Sequence, residues 1–356
     1  MASSRKAASA PVAPARRKRP VTIKDIAAHL GVHYSAVSRA LNDQQHTSDD
    51  LKRRVREAVR ELGYVPHSAA RMLHRRHSPH VGLVLPDLMN QVFAESANIL
   101  AERCHAAGYQ LVLAVSQRDP AIELQQVEAM REMRVAGVII APCGDSLPET
   151  EALLAEMRVV QLARRNPHLA IPTIATDDRG GAHQAMRHLL QLGHRRIGVV
   201  GGDRTATDDE RYGGALDALA EAGVAPDPRL LVRGPLSSDF GRQAASQLLQ
   251  AAPRPTALLA TNSLLTQGMV DAAHRAQLKV PQDLSLVGFG DPAWFRLWGP
   301  GLTTVRLPIR ELAEACALQL LRQIEEDDDP AVPAPFQMML DTTLVLRGST
   351  GPAPPA

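Results

Sequence analysis

Cysteine is scarce in this chain of 356 residues: Cys104, Cys143 and Cys316 are its only three, odd in number and widely spaced. Such a set supplies neither a disulfide framework nor a metal-ligand spacing, and it reads as reduced, buried thiols of a cytosolic protein. Long apolar runs are missing as well. No stretch approaches the ~20 apolar residues that span a bilayer. The opening MASSRKAASAPVAPARRKRP has no apolar signal-peptide core, and its Pro, Ala and Arg content predicts a disordered basic tail over 1–19. No GxSxG or Walker pattern occurs, and Gly201-Gly202-Asp203 is too short for a dinucleotide fingerprint, so the sequence argues against an enzyme. His183, His188 and His194 lack an adjacent carboxylate at metal spacing and are expected on helix surfaces. Neither a metal nor a cofactor is expected.

What is present is a strong division of charge. Residues 1–80 carry 16 Lys and Arg against 6 Asp and Glu, a net +10, while the remainder is net −8; together they make the overall +2. A basic segment joined to an acidic one predicts that only the first part meets a polyanion. With 45% hydrophobic residues, a chain of this length can form two or three cored units.

Residues 21–42, VTIKDIAAHLGVHYSAVSRALN, read as a helix-turn-helix. Thr22 stands three residues before Asp25, a capping-box spacing. Ile26, Ala27 and Leu30 share one helical face, and Gly31 stops the helix. A second short helix, 34–41, is expected to bury Val37 and Leu41 and to turn Tyr34, Ser35, Ser38 and Arg39 outward. Those side chains have the reach and hydrogen-bonding capacity for base edges and phosphates in a major groove. A third helix follows Ser48, with Asp49 and Asp50 at its positive end and Val55, Val59 and Leu62 at helical spacing. Residues 66–73 predict a two-turn helix too short to be stable without a partner.

From Val81 onward the pattern becomes strand, loop and helix in alternation. The apolar runs at 81–85, 111–115, 135–140, 159–162, 196–201, 257–260 and 284–289 predict parallel sheets covered on both faces. Gly108 and Gly223 each close a helix before the next segment, which supports an internal two-fold repetition. Seven such strands predict two Rossmann-like subdomains with a cleft between them. The acidic run 325–329 is expected to be a solvated helix end, and the tail 351–356 no packed element.

These stretches together resemble the LacI/GalR family of transcriptional regulators, over essentially residues 20–348. TIKDIAAHLGVHYSAVSRALN (22–42) and ELGYVPHSAARML (61–73) are the most specific matches. LPDLMNQVFAE (85–95), HLLQLGHRRIGVVGG (188–202), VPQDLSLVGFGD (280–291) and LTTVRLP (302–308) match the effector half. NQVFAE is also similar to the gluconate-repressor branch. The resemblance implies an all-α helix-turn-helix domain plus an α/β periplasmic-binding-protein-like effector domain. The corresponding boundaries are a tail at 1–19, a DNA-binding domain at 20–66, a hinge helix and linker at 67–79, an effector and dimerisation domain at 80–348, and a tail at 349–356. Its N-subdomain is expected at 80–176 and 306–335, its C-subdomain at 177–304 and 336–348.

The resemblance also implies an effector-controlled repressor, a homodimer on pseudo-palindromic double-stranded operator DNA in the bacterial cytoplasm at the nucleoid. Tyr34, Ser35 and Arg39 fall on base-reading positions, with Thr22, Ser38, Asn42 and His46 in support on phosphates. Ala70 and Leu73 fall in the hinge, where Leu73 matches the residue that wedges open the central base step; His67 replaces the commoner Asn. Asn90, Gln91 and Phe93 follow the first strand, where open α/β sheets bind ligands. Arg164, Arg211, Asn262 and Asp291 complete the implied effector set. Ala163, Ser263 and Gly290 stand where carboxylates that chelate sugar hydroxyls are common, and Leu236 where an aromatic is common. With carboxylates and aromatic faces depleted and two arginines left, the expected effector is anionic, such as a sugar acid. A neutral sugar or nucleobase, or a transport-type solute-binding protein, are the alternatives; the last would need an export signal and no helix-turn-helix.

Overall fold

A computed structural model describes residues 21–41, 47–62, 78–202, 205–326 and 335–354. The expected N-terminal tail, Asn42, His46, His67, Ala70 and Leu73 lie outside the described residues, as do positions 327–329 of the acidic run. The chain forms two compact units, Met1–Arg76 and His77–Ala356.

The described residues of the first unit form three helices, α1 (Ile23–Leu30), α2 (Tyr34–Leu41) and α3 (Asp49–Leu62). The Asp25 carboxylate accepts from both the backbone N–H and the hydroxyl of Thr22, each at 2.7 Å, and so closes the capping box. Gly31 ends α1 at φ +66, a left-handed conformation that a side chain would strain. Ile26, Ala27, Val37, Ala40, Val55 and Ala58 are the buried core, with Leu30, Leu41, Val59 and Leu62 packed around them. Ala40 thus occupies the centre that the sequence reading gave to Leu41, which is only half-buried. Small residues at the helix crossing let the helices approach closely.

The second unit contains two six-stranded sheets. The first holds β1 (His80–Leu85), β2 (Gln110–Val115), β3 (Val138–Ile140), β4 (Val159–Leu162), β5 (Thr173–Thr176) and β11 (Gln337–Leu340), in the order β11-β5-β4-β3-β1-β2. The second holds β6 (Ile197–Gly201), β7 (Leu231–Arg233), β8 (Ala257–Ala260), β9 (Ser285–Phe289), β10 (Thr303–Arg306) and β12 (Thr343–Val345), in the order β12-β10-β9-β8-β6-β7. Among the described residues only the β10–β12 pair is antiparallel. Successive strand residues serve opposite faces: Leu83 and Leu85 enter one apolar core of the first sheet and Val84 the other, while Val199 and Val200 divide between the cores of the second. Helices cover both faces, so the strands are apolar on both sides.

Three expectations are corrected. The chain returns to the second sheet after Leu340, not at 336, because Gln337–Leu340 extends the first sheet parallel to Thr173–Thr176. That strand is mostly exposed and therefore carries no apolar run to read. The tail is docked up to residue 354. The hydroxyl of Ser349, fully buried, donates to Leu286 O at 2.6 Å, and Ala353 N–H donates to Leu192 O at 2.8 Å. His194 is not on a helix surface but buried. Its Nδ1 meets Thr256 Oγ1 at 2.8 Å, and its Nε2 donates to Gly351 O at 3.1 Å. Burial lowers its pKa, a nearby His188 lowers it further, and the Gly351 carbonyl opposes both.

All three cysteines are free and buried. Burial raises the thiol of Cys104 to about 11 and, with Glu123 beside it, that of Cys143 to about 12, so neither forms a reactive thiolate near neutrality. Among the described residues no helix is long and apolar enough to cross a membrane.

Candidate functional site

In the first unit, α2 presents the expected outward face. Tyr34 is 52% exposed, Arg39 is exposed, and Ser35 and Ser38 are half-exposed. Arg39 Nε donates to the Ser35 backbone carbonyl at 3.4 Å, one turn back. That tether directs the side chain along the helix and leaves its terminal amino groups free of any partner among the described residues. The Thr22 hydroxyl is engaged by Asp25. The sequence reading passed over His33. It precedes α2, and its Nδ1 lies 2.8 Å from Ser35 Oγ. A histidine is not a usual helix cap, so the sequence carries no cue for it.

In the second unit, the cleft between the two sheets is lined by Asn90, Phe93, Arg164, Arg211, Asn262 and Leu236, together with Asp208, Thr176 and Thr207. Asn90 caps α4 (Gln91–Ala106) and Asn262 caps α10 (Ser263–Arg275); each side-chain carbonyl accepts a helical N–H, at 3.1 and 2.9 Å. Capping consumes the carbonyl oxygen and leaves the amide NH₂ of each as a donor. Thr205 caps α8 (Ala206–Glu221) in the same way. Helix N-termini from both sheets therefore converge on the cleft, an arrangement that favours negative charge.

Arg211 and Arg164 differ in their partners. Arg211 donates from Nε to Asp178 Oδ1 at 2.7 Å and from Nη1 to Thr261 O at 2.8 Å, and its guanidinium lies 4.1 Å from the Phe289 ring centroid. Its charge is answered within the fold. Burial pushes the Asp178 carboxyl up and the Arg211 charge pulls it back down. Arg164 is 8% exposed, sits 5.6 Å from the Phe93 ring centroid, and has no hydrogen-bond or ion-pair partner among the described residues. Burial lowers its pKa, the neighbouring Arg118 adds to that, and Asp208, Cys143 and Asp87 oppose it. The backbone is strained just before it. Ala163 adopts φ +59 and Arg164 N–H closes on Leu162 O at 2.6 Å, a three-residue turn that is rare for a residue bearing a side chain.

Asp208 is the counterpart of Arg164. It is 3% exposed; Oδ2 accepts the Thr205 hydroxyl at 2.6 Å, while Oδ1 is buried with no hydrogen-bond partner among the described residues. The expectation of a cleft depleted of carboxylates is thereby corrected, since Asp208 lines it and Asp178 is buried against Arg211. Asp208 precedes Arg211 by three residues, one helical turn, and that spacing was the available signal. Asp178 is brought to Arg211 only by the packing of α7 (Asp178–Gln191) against α8. Gly290 has φ +85, a backbone conformation that explains glycine where a carboxylate is common.

Two residues of the expected effector set lie elsewhere. Gln91 Nε2 donates to Glu95 along its own helix at 3.2 Å. Asp291 clasps Arg306 and Arg347 at 2.9 and 2.8 Å, a structural ion pair outside the cleft lining. No group of three or more metal-ligating side chains occurs among the described residues.

Comparison with known proteins agrees with both halves of this description. The profile for bacterial regulatory proteins of the lacI family matches residues 22–67, and that for a periplasmic binding protein-like domain matches 186–350. The HTH-type transcriptional regulator DegA of Bacillus subtilis (strain 168) is 31% identical over 93% of this chain and 98% of its own. The HTH-type transcriptional repressor PurR of Pectobacterium carotovorum is 30% identical over 94% and 98%. Among solved structures, the lac repressor dimer bound to operator and the anti-inducer ONPF covers 94% of this chain and 100% of its own, at 25% identity and a TM-score of 0.82. A complex of the transcriptional regulator CelR with cellobiose covers 93% and 100%, at 26% identity and a TM-score of 0.69. With a helix-turn-helix at one end, a two-sheet effector domain at the other, and repressor relatives along nearly its whole length, this chain belongs to the LacI family of transcriptional regulators.

Proposed function

We propose that this repressor binds pseudo-palindromic operator DNA as a homodimer and is controlled by an anionic, hydroxylated effector of the sugar-acid class. The observation that carries the effector reading is the buried guanidinium of Arg164, which lines the cleft with no hydrogen-bond or ion-pair partner among the described residues. An uncompensated buried charge is costly, and a carboxylate or phosphate would complete it with charge-assisted, bidentate hydrogen bonds. The free Oδ1 of Asp208 would accept from a ligand hydroxyl, and the capping asparagines 90 and 262 would donate to its oxygens. Arg211, Asp178 and Phe289 then form the wall that shapes the site.

On the DNA side, Tyr34, Ser35 and Arg39 are assigned to base edges and Thr22 and Ser38 to phosphates, with Asn42 and His46 joining them on the strength of the family resemblance. Ala70 and Leu73 are assigned to the minor groove on the same ground. Such a regulator acts in the cytoplasm, at the nucleoid. A ligand seated between the sheets controls DNA binding only if it binds one relative setting of the two subdomains better than another.

Calorimetry of the full chain with gluconate and with glucose separates the readings. Gluconate binding that is lost in Arg164→Gln is expected. A neutral hexose bound tightly and equally by wild type and Arg164→Gln would overturn the anionic effector, and would align this chain with the sugar-bound CelR complex. On the DNA side, Arg39→Ala is expected to weaken binding to a selected operator more than to a scrambled duplex; equal losses would reduce Arg39 to a phosphate anchor.

A further inference from the structure

The hydrogen bonds at the start of α2 carry information about which bases this repressor reads. His33 is the N-cap residue: its backbone carbonyl accepts from Ala36 at 2.9 Å and Val37 at 3.4 Å. Its side chain does what a capping oxygen does elsewhere, since Nδ1 accepts the Ser35 backbone N–H at 3.4 Å. The same Nδ1 lies 2.8 Å from Ser35 Oγ. A ring nitrogen that accepts a backbone N–H carries no proton of its own. The short contact to Ser35 must then be made by the hydroxyl proton, pointing inward at the imidazole. The Tyr34 ring lies against the imidazole, with centroids 4.5 Å apart, and limits its rotation.

A serine hydroxyl has one proton and two lone pairs. With the proton committed to His33, Ser35 offers only lone pairs outward. In the major groove, adenine N6 and cytosine N4 present amino donors, whereas guanine O6 and N7 and thymine O4 present acceptors that would face those lone pairs. Resting on the reading that α2 faces base edges, we propose that His33 fixes Ser35 as an obligate acceptor, so that the base opposite Ser35 is adenine or cytosine. Arg39 supplies the complement. It offers donors only, its Nε is tied to Ser35 O, and its free terminal amino groups suit the acceptor pair of guanine. Each half-site therefore places an amino-bearing base near a guanine, read by two side chains of opposite polarity one helical turn apart. His33 is in this sense a positioning residue for specificity; it acts through Ser35.

The test is selection of bound duplexes from a randomised pool by the full chain, followed by sequencing. Wild type is expected to enrich adenine or cytosine at one position per half-site by roughly fivefold, the scale of one net hydrogen bond. Ser35→Ala flattens that position alone. His33→Ala frees the hydroxyl to rotate and relaxes the same position toward all four bases. His33→Asp, which retains a capping acceptor able to take the hydroxyl proton, restores the adenine or cytosine preference; this rescue separates readout polarity from simple loss of the helix cap. A Ser35-dependent position that selects guanine or thymine, or a preference that His33→Ala leaves unchanged, overturns the polarity assignment while α2 remains the reading element. If neither Ser35→Ala nor Arg39→Ala alters any position, the underlying reading of α2 fails as well, and the inference fails with it.

Discussion

The two walls of the effector cleft each contribute one buried arginine, and the two do opposite work. On the wall built from the second sheet, Arg211 is satisfied by Asp178, the Thr261 carbonyl and the Phe289 ring. On the wall built from the first sheet, Arg164 has an aromatic neighbour and, among the described residues, no hydrogen-bond or ion-pair partner. In sequence Arg164 is followed by Arg165, and Arg211 is preceded by Asp208, Asp209 and Glu210; neither context says which guanidinium finds a partner in the fold. The difference teaches that charge in a binding cleft is not a count of basic residues but of those left unanswered by the fold. Both line the cleft, but Arg211 is held by hydrogen bonds within the fold while Arg164 is not, and the turn at Ala163 just before Arg164 is strained.

The comparison breaks most visibly through Arg211→Ala. Removing one partner of a buried pair strands the other charge, so unfolding of the full chain in urea should show a loss of about 3–5 kcal/mol. The double change Asp178→Asn with Arg211→Met should recover much of that loss, since no charge remains uncompensated. An Arg211→Ala protein as stable as wild type would mean that Asp178 finds another partner.

Arg164→Met should behave in the opposite sense. Stability should hold or rise, because an unpaired buried guanidinium is exchanged for an apolar side chain of similar length. Affinity for a carboxylate ligand should fall by the worth of a charged hydrogen bond, about 1.5–3 kcal/mol, read by calorimetry. A large stability loss instead would place Arg164 with Arg211 as scaffold.

A smaller effect concerns buried groups that the fold hydrogen-bonds without an opposite charge. His194 and His188 both have pKa values lowered by burial. For a folded-state value below the unfolded one, the stabilisation is present above the unfolded value, near 6.5, and is lost as pH falls through the folded value. The melting temperature of the full chain should therefore decline as pH drops from 7 toward 5, and His194→Gln should flatten part of that slope. An unchanged slope would assign the acid sensitivity to other groups.

Much of the fold was legible because it rests on local rules. The Thr22–Asp25 spacing, the left-handed Gly31 and the apolar runs from Val81 to Phe289 each follow from neighbours a few residues apart. The strands that escaped, Thr173–Thr176, Leu231–Arg233, Thr303–Arg306, Gln337–Leu340 and Thr343–Val345, are mostly three or four residues long. They are held by pairing with distant strands more than by their own hydrophobicity. The site followed the same division. Asn90, Phe93, Arg164, Arg211 and Asn262 do meet in the cleft. Asp178 and Asp208, which decide the balance of charge there, did not stand out among the chain's other carboxylates.

By itself, the sequence determined the three-helix reading head, the two-sheet effector domain and the family, because periodicity, caps and motif spacing are properties of adjacent residues. Tertiary structure alone decided which arginine is paired within the fold, which carboxylate oxygen lacks a partner among the described residues, and that the C-terminal segment around Ser349 is buried. Each of these depends on groups meeting in space at hydrogen-bond distance, and once buried, a polar group's role is set by whether a partner arrives.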